Sequence, residues 1–305
     1  MPALFIVNPA ARGGRGARAE SRIRTALATL DTGAEIVRTD APGQAEVLAA
    51  EAARDGFTPV VAVGGDGTVH EVVNGLLRTP QPTLPPEFGV VPTGSGNDFA
   101  RTVHLPRRIE SAVSAILQGP RRTVDVGRCG NRVFLNAAGV GFDAEVVGVM
   151  ARAGPLLRSS GPLLYPLAVV RALPRYSVQP MSIELDGQSL ERRALLVAVA
   201  NGSYYGGGFR ICPSADPGDG WLDVCVLGDL SRGEAIRLLP RLRKGTHVGA
   251  AKVEHFRARV VRISAGGAPA QLDGEQLEGG PTGREPAEFR VLAGALRLCG
   301  AAEPG

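Results

Sequence analysis

Apolar positions fall into two rhythms along this chain. Over roughly the first 120 residues, continuous apolar runs of strand length alternate with stretches whose apolar residues recur at helical spacing. ALFIVN (3–8) precedes ARAESRIRTALATL (17–30), and EIVRT precedes GQAEVLAAEAARDG, which Gly56 closes. PVVAVGG then precedes HEVVNGLLR, and FGVVPTG precedes NDFARTVHL. Repeated strand–helix alternation predicts a parallel sheet with helices on its faces. From about Thr123 onward the rhythm changes. TVDVGRCGNRVFLNAAGVGF, MSIELDG, ALLVAVANG, WLDVCVLG, ARVVRISAG and EFRVLAGALRLCG read as strands separated by turns, with helical pieces near 143–173 and 232–244. Mostly consecutive strands predict an antiparallel, sandwich-like second domain. The expected fold class is α/β: a parallel-sheet, three-layer α/β domain over residues 1–123, then a mostly antiparallel β-sandwich domain over 124–290. The extreme C-terminus, about residues 290–305, is expected to pack back on the first domain.

Composition narrows the setting. The chain has 305 residues, 44% hydrophobic and 21% charged, enough for two domains with cores of their own. Net charge is +4, and with Lys244 and Lys252 the only lysines, the positive charge is nearly all arginine. No basic run interleaved with aromatics points to nucleic acid. The N-terminus reads as a strand rather than a signal peptide. The longest apolar stretch, PLLYPLAVV (162–170), falls far short of the roughly 20 residues a membrane span needs. The four cysteines include no C-x-x-C pair, and the four histidines lack metal-ligand spacing. That disfavours a disulfide framework or a zinc site and favours a reducing cytoplasm.

Candidate chemistry sits in the loops that follow the strands, where open α/β sheets bind ligands. After the first strand, Gly14, Gly16 and Ala19 form G-x-G-x-x-A, with Asp40 after strand two. The dinucleotide fingerprint begins directly after its strand, and here residues 8–13 intervene, so a plain glycine-rich loop is the better reading. After strand three comes GGDGTVHE (64–71). Its glycines let backbone N–H groups approach an anion, and a helix starting near Thr68 aims its positive end at the same place. Asp66 would repel a phosphate unless a cation lay between them, which suggests Mg²⁺. After strand four, PTGSGNDFAR (92–101) offers the hydroxyls of Thr93 and Ser95, bare backbone at Gly94 and Gly96, and Asn97 or Asp98 as a helix cap. A capped loop without function is the alternative. Neither lysine stands in a G-x-x-x-x-G-K sequence, which excludes a P-loop NTPase. Near the C-terminus LDGEQLE (272–278) has a twin, LDGQSLE (185–191); Asp-Gly between apolar residues is a strong hairpin signal in both.

NPAARGG, GGDGTVHEVVNGL and PTGSGNDFAR, in this order and spacing, resemble the diacylglycerol kinase catalytic-domain family, and more closely its bacterial soluble lipid kinases. The resemblance covers nearly the whole chain, with later landmarks in FLNAAGVGFDA, PSADPGDGWLDV and LDGE. It implies an ATP-binding first domain and a lipid-substrate second domain. ATP would lie over Asn8, Pro9, Ala10, Ala11 and Arg12, over Thr39, and over Gly64, Gly65, Asp66, Gly67, Thr68, Val69, His70 and Glu71, with Thr93, Gly94, Ser95, Asn97 and Asp98. Asp66 and Asp98 would join a carboxylate–water–Mg²⁺ network. A structural Mg²⁺ would take the Asp219 carboxylate and main-chain oxygens of Asp216 and Trp221, in a stretch that the residues alone read as a turn-rich loop. Asp273 would be the general base, with Glu275 beside it, while Asp186 has no such role. The chain departs from the family's pattern at His70, where Asn is common, at Gln44, where His is common, and in a first loop with Arg12 and Arg15 but no lysine.

The implied reaction is ATP- and Mg²⁺-dependent phosphorylation of a lipid hydroxyl, diacylglycerol to phosphatidic acid first, with a sphingoid base second. An NAD-kinase-like soluble-substrate kinase shares GGDGT but leaves PTGSGNDFAR and LDGE unexplained. A non-catalytic lipid-binding protein sits poorly with intact Asp66, Asp98, Asp219 and Asp273. A cytoplasmic protein peripheral to the inner face of the cell membrane is expected, and a homodimer is compatible with it. The candidate membrane contact is 150–177, which mixes Arg152, Arg158, Arg171 and Arg175 with Leu, Tyr and Pro; a helix packed on the second domain is the alternative.

Overall fold

The structure, a computed structural model, describes residues 2–11, 15–30, 32–78, 84–152, 164–277 and 286–301. The chain divides into two compact units, Met1–Val126 with Ala293–Gly305, and Gly127–Leu292.

The first unit opens with β1 (Leu4–Val7), α1 (Arg15–Leu30), β2 (Glu35–Arg38), α2 (Gln44–Arg54), β3 (Val60–Gly64), α3 (Asp66–Arg78) and β4 (Glu87–Pro92). It continues with α4 (Asp98–Thr102), α5 (Ile109–Gln118) and the first part of β5 (Arg121–Cys129). Strands β2, β1, β3 and β4 lie side by side and parallel. Strands β1 and β3 are buried along their whole length, which is why they read as unbroken apolar runs rather than as alternation. Phe5, Val7, Val61, Val63 and Val91 turn one face of the sheet to Ile23 of α1 and to Val113 and Ile116 of α5. Helices α2 and α3 pack closely together: a Cβ on Gly75 would come within 2.2 Å of the Glu46 carbonyl oxygen.

Two boundaries differ from the sequence reading. Helix α3 begins at Asp66, not near Thr68, so most of GGDGT is already the first turn of a helix. The helix after β4 ends at Thr102, because His104 takes a left-handed φ of 54° and Pro106 comes two residues later; the long covering helix is α5, built from IESAVSAILQ.

The second unit contains the rest of β5, then β6 (Arg132–Phe134), β7 (Ala137–Gly141), α6 (Phe142–Ala151), α7 (Leu164–Ala172), β8 (Gln179–Leu185), β9 (Gln188–Ala194) and β10 (Leu196–Ala200). Next come β11 (Leu222–Leu227), α8 (Arg232–Lys244), β12 (Val253–Ala258), β13 (Val260–Ser264), β14 (Ala270–Leu272), β15 (Glu275–Gln276) and the start of β16 (Ala287–Cys299). One antiparallel sheet runs β12-β11-β10-β7-β14-β15. Strands β13, β8, β9 and the first half of β16 form a second antiparallel layer. Val140, Val197, Val199, Val224 and Val226 from one layer meet Ile183, Val261, Ile263 and Phe289 from the other. The residues between them on the strands, among them Ala198, Cys225 and Leu227, face α6, α7 and α8 instead. In the first unit, the last part of β16 runs parallel to β4, pairing Arg297 with Glu87 and Leu298 with Phe88.

Candidate active site

Within the first unit, three loops at the carboxyl ends of β1, β3 and β4 are bolted together. Asn8 directly follows β1; its side-chain amide donates to Thr68 Oγ1 at 3.0 Å, and its Oδ1 accepts the N–H of Ala10 at 3.0 Å. Thr93 N–H bonds the Gly64 carbonyl at 2.9 Å, continuing the β3–β4 ladder into the loops. Here glycine is a steric requirement: a Cβ on Gly94 would stand 2.4 Å from the Gly65 Cα, and one on Gly64 would stand 2.3 Å from Thr68 Oγ1.

Asp66 joins the second loop to the third. As the first residue of α3, it accepts the N–H of Asn97 at 2.7 Å and of Asp98 at 2.6 Å, one on each carboxylate oxygen. It thus binds the start of α4 with a charge from another element. Asn97, held at φ 53°, closes its own loop by accepting from Gly94 N–H and donating to the Gly94 carbonyl, at 3.0 and 2.9 Å. Asp98 is buried, with the Arg101 guanidinium 3.7 Å away. Asp66 is thus bonded to the backbone of Asp98, in a loop that also carries exposed Ser95 and Thr93, whose buried Oγ1 has no hydrogen-bond partner. An unpartnered hydroxyl, bare glycine backbone and the Asp66 and Asp98 carboxylates are a donor set that fits a phosphate chain with a hard cation.

Other predicted nucleotide residues have structural work here. Glu71 Oε2 accepts the N–H of Ala45 at 3.1 Å, supplying the first turn of α2 with the cap that Gly43 cannot. Val69 and His70 are buried within α3, and Thr39 is buried with its N–H on the Val7 carbonyl. Gly16 backs onto β1, where a Cβ would meet the Asn8 carbonyl oxygen at 1.9 Å. Pro9, Ala10 and Ala11 continue the first loop, and Arg12 and Gly14 lie outside the described residues.

The sequence reading missed a set of arginines. A cavity of about 580 Å³ opens beside Thr93, Gly94 and Ser95 and is walled by Arg18, Arg22, Arg101 and Arg107. Arg22 is clamped by Glu110 through two bonds of 2.8 and 2.7 Å. That pair is half-exposed and screened by solvent, so it adds little to stability and serves mainly to hold the Arg22 side chain in place. Arginines spaced along amphipathic helices look like solvated surface until the fold places them on one wall.

In the second unit, Asp273 occupies the β14–β15 turn at φ 48°, followed by Gly274 at φ 91°, the left-handed pair that a tight hairpin needs. Its carboxylate accepts three consecutive backbone N–H groups, of Leu135 at 2.7 Å, Asn136 at 2.9 Å and Ala137 at 3.1 Å. The twin behaves alike: Asp186, at φ 47°, accepts the N–H groups of Arg259 and Val260. Turn chemistry therefore does not separate them. The residue after each Asp-Gly pair does: Glu275 is exposed with Arg132 at 3.6 Å, where the twin has Gln188.

Beneath the Asp273 turn lies Asp143, which the sequence reading passed over. It is 1% exposed; its carboxylate accepts Ala144 N–H at 2.9 Å and Gln271 Nε2 at 3.0 Å, while Gln271 Oε1 holds Gly274 N–H at 2.7 Å. Burial pushes the Asp143 carboxyl up to about 6. A Cβ on Gly139 would lie 1.7 Å from Asp143 Oδ2, so this glycine makes room for the acid. Near it, Phe142, Tyr165, Leu173, Tyr205, Phe209 and Leu238 line an apolar cavity between the helices and the sheet. Its free volume is about 30 Å³, too little for an acyl chain unless the helices shift.

The predicted metal residues form a tight loop. Asp216 carbonyl accepts Asp219 N–H at 3.4 Å, and Asp219 Oδ1 accepts Trp221 N–H at 3.0 Å. Carboxylate and carbonyl oxygens suit a hard cation. Asp219 Oδ2, however, already meets the Arg257 guanidinium, which also lies 3.6 Å from Asp223 and stacks over Trp221 with Arg259. A cation held here shares Asp219 with Arg257.

The chain is similar to known kinases in sequence and in fold. The profile described as diacylglycerol kinase catalytic domain matches residues 2–129, and the one described as YegS C-terminal NAD kinase beta sandwich-like domain matches 136–300. A diacylglycerol kinase of Mycobacterium tuberculosis (strain ATCC 25618 / H37Rv) is 34% identical over 248 residues, 79% of this chain and 77% of that protein. One of Staphylococcus carnosus (strain TM300) is 31% identical over 255 residues, 83% and 80%. The crystal structure of a diacylglycerol kinase from Bacillus anthracis str. Sterne superposes with a TM-score of 0.77 at 26% identity, over 98% of this chain and 96% of that one.

The buried carboxylates can be tested one at a time. Asp66→Asn leaves an amide N–H facing a backbone N–H, which is expected to cost about 1–3 kcal/mol and to speed hydrogen exchange at Asn97 and Asp98. Unchanged exchange across 94–102, measured by mass spectrometry, would contradict the clasp. Asp143, with its folded pKa raised, opposes folding once charged: stability falls as pH rises from about 4 to about 6, by on the order of 3 kcal/mol. Asp143→Asn is expected to flatten that slope in urea titrations, and an unaltered slope would reassign it.

Proposed function

The chain belongs to the diacylglycerol kinase family, which makes it a lipid kinase, and from that premise we propose that it transfers the γ-phosphate of ATP to the free hydroxyl of diacylglycerol, giving phosphatidic acid. The observation that carries the reading is the Asp66 clasp, which holds two glycine loops together beside an arginine-walled cavity. Asn8, Gly65, Gly67, Thr68, Thr93 and Ser95 would cradle the triphosphate with backbone N–H groups and hydroxyls. Asp66 and Asp98 would hold Mg²⁺ through water, and Asp219 with the main-chain oxygens of Asp216 and Trp221 a second, structural ion. Bound Mg²⁺ supplies neutralisation of phosphate charge.

Asp273 would accept the acceptor hydroxyl's proton. As the hydroxyl oxygen bonds to the γ-phosphorus, the bond to the β-phosphate oxygen breaks, and ADP leaves with that electron pair. The protein's task in such a transfer is mainly positioning, and three N–H groups fix the Asp273 carboxylate. The family membership supports a lipid acceptor, a sphingoid base being the second candidate, and the apolar cavity would take an acyl chain only after its helices move apart. A soluble acceptor draws on the description of the C-terminal profile but leaves that cavity without a use.

No helix among the described residues is long and apolar enough to cross a membrane. Residues 153–163 of the expected docking segment, including Arg158, lie outside the described residues. Of the remainder, α7 exposes Leu167 and Val170, with exposed Arg171 beside them. These would rest on an anionic bilayer.

The twin aspartates supply the test. Asp273→Asn and Asp186→Asn disturb equivalent turns, so both are expected to lose comparable stability. Only Asp273→Asn should abolish transfer of labelled phosphate to diacylglycerol in a panel that includes sphingoid bases and NAD. Full activity in that variant would remove Asp273 as base, and labelling of NAD alone would overturn the lipid assignment. For the surface, Leu167→Asp with Val170→Asp should reduce cosedimentation with phosphatidylglycerol vesicles several-fold; unchanged binding would exclude α7.

A further inference from the structure

The pairing of β11 with β12 sets Cys225 directly opposite His255. Cross-strand partners share a face, so thiol and imidazole lie side by side beneath the helices. The connection from α8 to β12 adds His247, whose ring centroid is 5.3 Å from that of His255. One ligand atom from each of Cys225, His247 and His255 lies within 4.8 Å of the other two. Cys225 and His247 are fully buried and His255 is partly buried.

Two imidazoles crowd one acceptor in this cluster. The Nε2 atoms of His247 and His255 both approach one carbonyl oxygen, that of Ile211, at 2.9 and 3.4 Å. Packing alone gives no reason to bury two imidazoles and a thiol around a single carbonyl. The kinase reading uses none of these residues, and spacing along the chain conceals them, because their nearness arises from strand register.

We propose that Cys225, His247 and His255 form a binding site for one borderline-soft divalent cation, best matched by zinc. One sulfur and two imidazole nitrogens are ligands zinc takes readily, and ligand atoms about 3.4–3.8 Å apart, as tetrahedral zinc requires, are within reach of small side-chain rotations. The Ile211 carbonyl or a water completes four-coordination. On binding, the Cys225 S–H bond breaks, the sulfur electron pair goes to the metal, and the proton leaves to solvent; each imidazole supplies a neutral nitrogen lone pair. The ion would tie β11, β12 and the end of α8 into one block, a structural role independent of phosphoryl transfer.

The test uses the full-length chain, stripped with chelator and titrated with zinc and, separately, cobalt. The expected result is one zinc retained per chain after desalting and a thiolate-to-cobalt charge-transfer band in the near ultraviolet. Cys225→Ser should remove that band and weaken zinc binding on the order of 100-fold. Cys129→Ser, at a buried cysteine outside the cluster, should change neither. The wild-type cobalt spectrum decides even if Cys225→Ser misfolds: absence of the thiolate band overturns the site, as does a band that survives Cys225→Ser.

Discussion

A carboxylate that accepts backbone N–H groups from a distant segment is the contact on which the rest of this architecture depends. Asp66 gathers Asn97 and Asp98, Asp273 gathers residues 135–137, Asp186 gathers Arg259 and Val260, and Glu71 gathers Ala45. Helix starts and loop ends expose N–H groups that no regular structure satisfies. A charged acceptor on such a group contributes about 1.5–3 kcal/mol, where an unmet donor would cost a similar amount. The device therefore stabilises loops and aims them at once.

Aiming matters because phosphoryl transfer asks little covalent chemistry of a protein and much placement. In the first unit the clasp brings glycine backbones into contact, so that a side chain on Gly94 would strike the Gly65 Cα. In the second, the Asp273 turn is braced from below by Gln271, which also touches Asp143. Keeping a buried acid there opposes folding at neutral pH, which argues that its position matters more than its energy.

Much of this is legible in the residues. Strand–helix alternation in the first part and consecutive strands in the second point to the two architectures, and the ordered glycine loops point to the family. Periodicity does not locate the start of α3, because GGDGT reads as a turn although it coils from Asp66. Nor does it find α5, since His104 and Pro106 separate that helix from the short α4. Arg18, Arg101, Arg107 and Asp143 escape because a charged residue carries no local sign of the wall it will face. The cluster of Cys225, His247 and His255 escapes because strand register, not spacing, assembles it.

The position of the nucleotide's phosphates in the first unit is the central claim. A crystal structure with a nonhydrolysable ATP analogue and Mg²⁺ should place them against the backbone of Gly65, Gly67 and Gly94, with the Asp66 bonds to Asn97 and Asp98 intact. Phosphates bound away from these loops, or an Asp66 that releases Asn97 and Asp98 when the nucleotide binds, would contradict it.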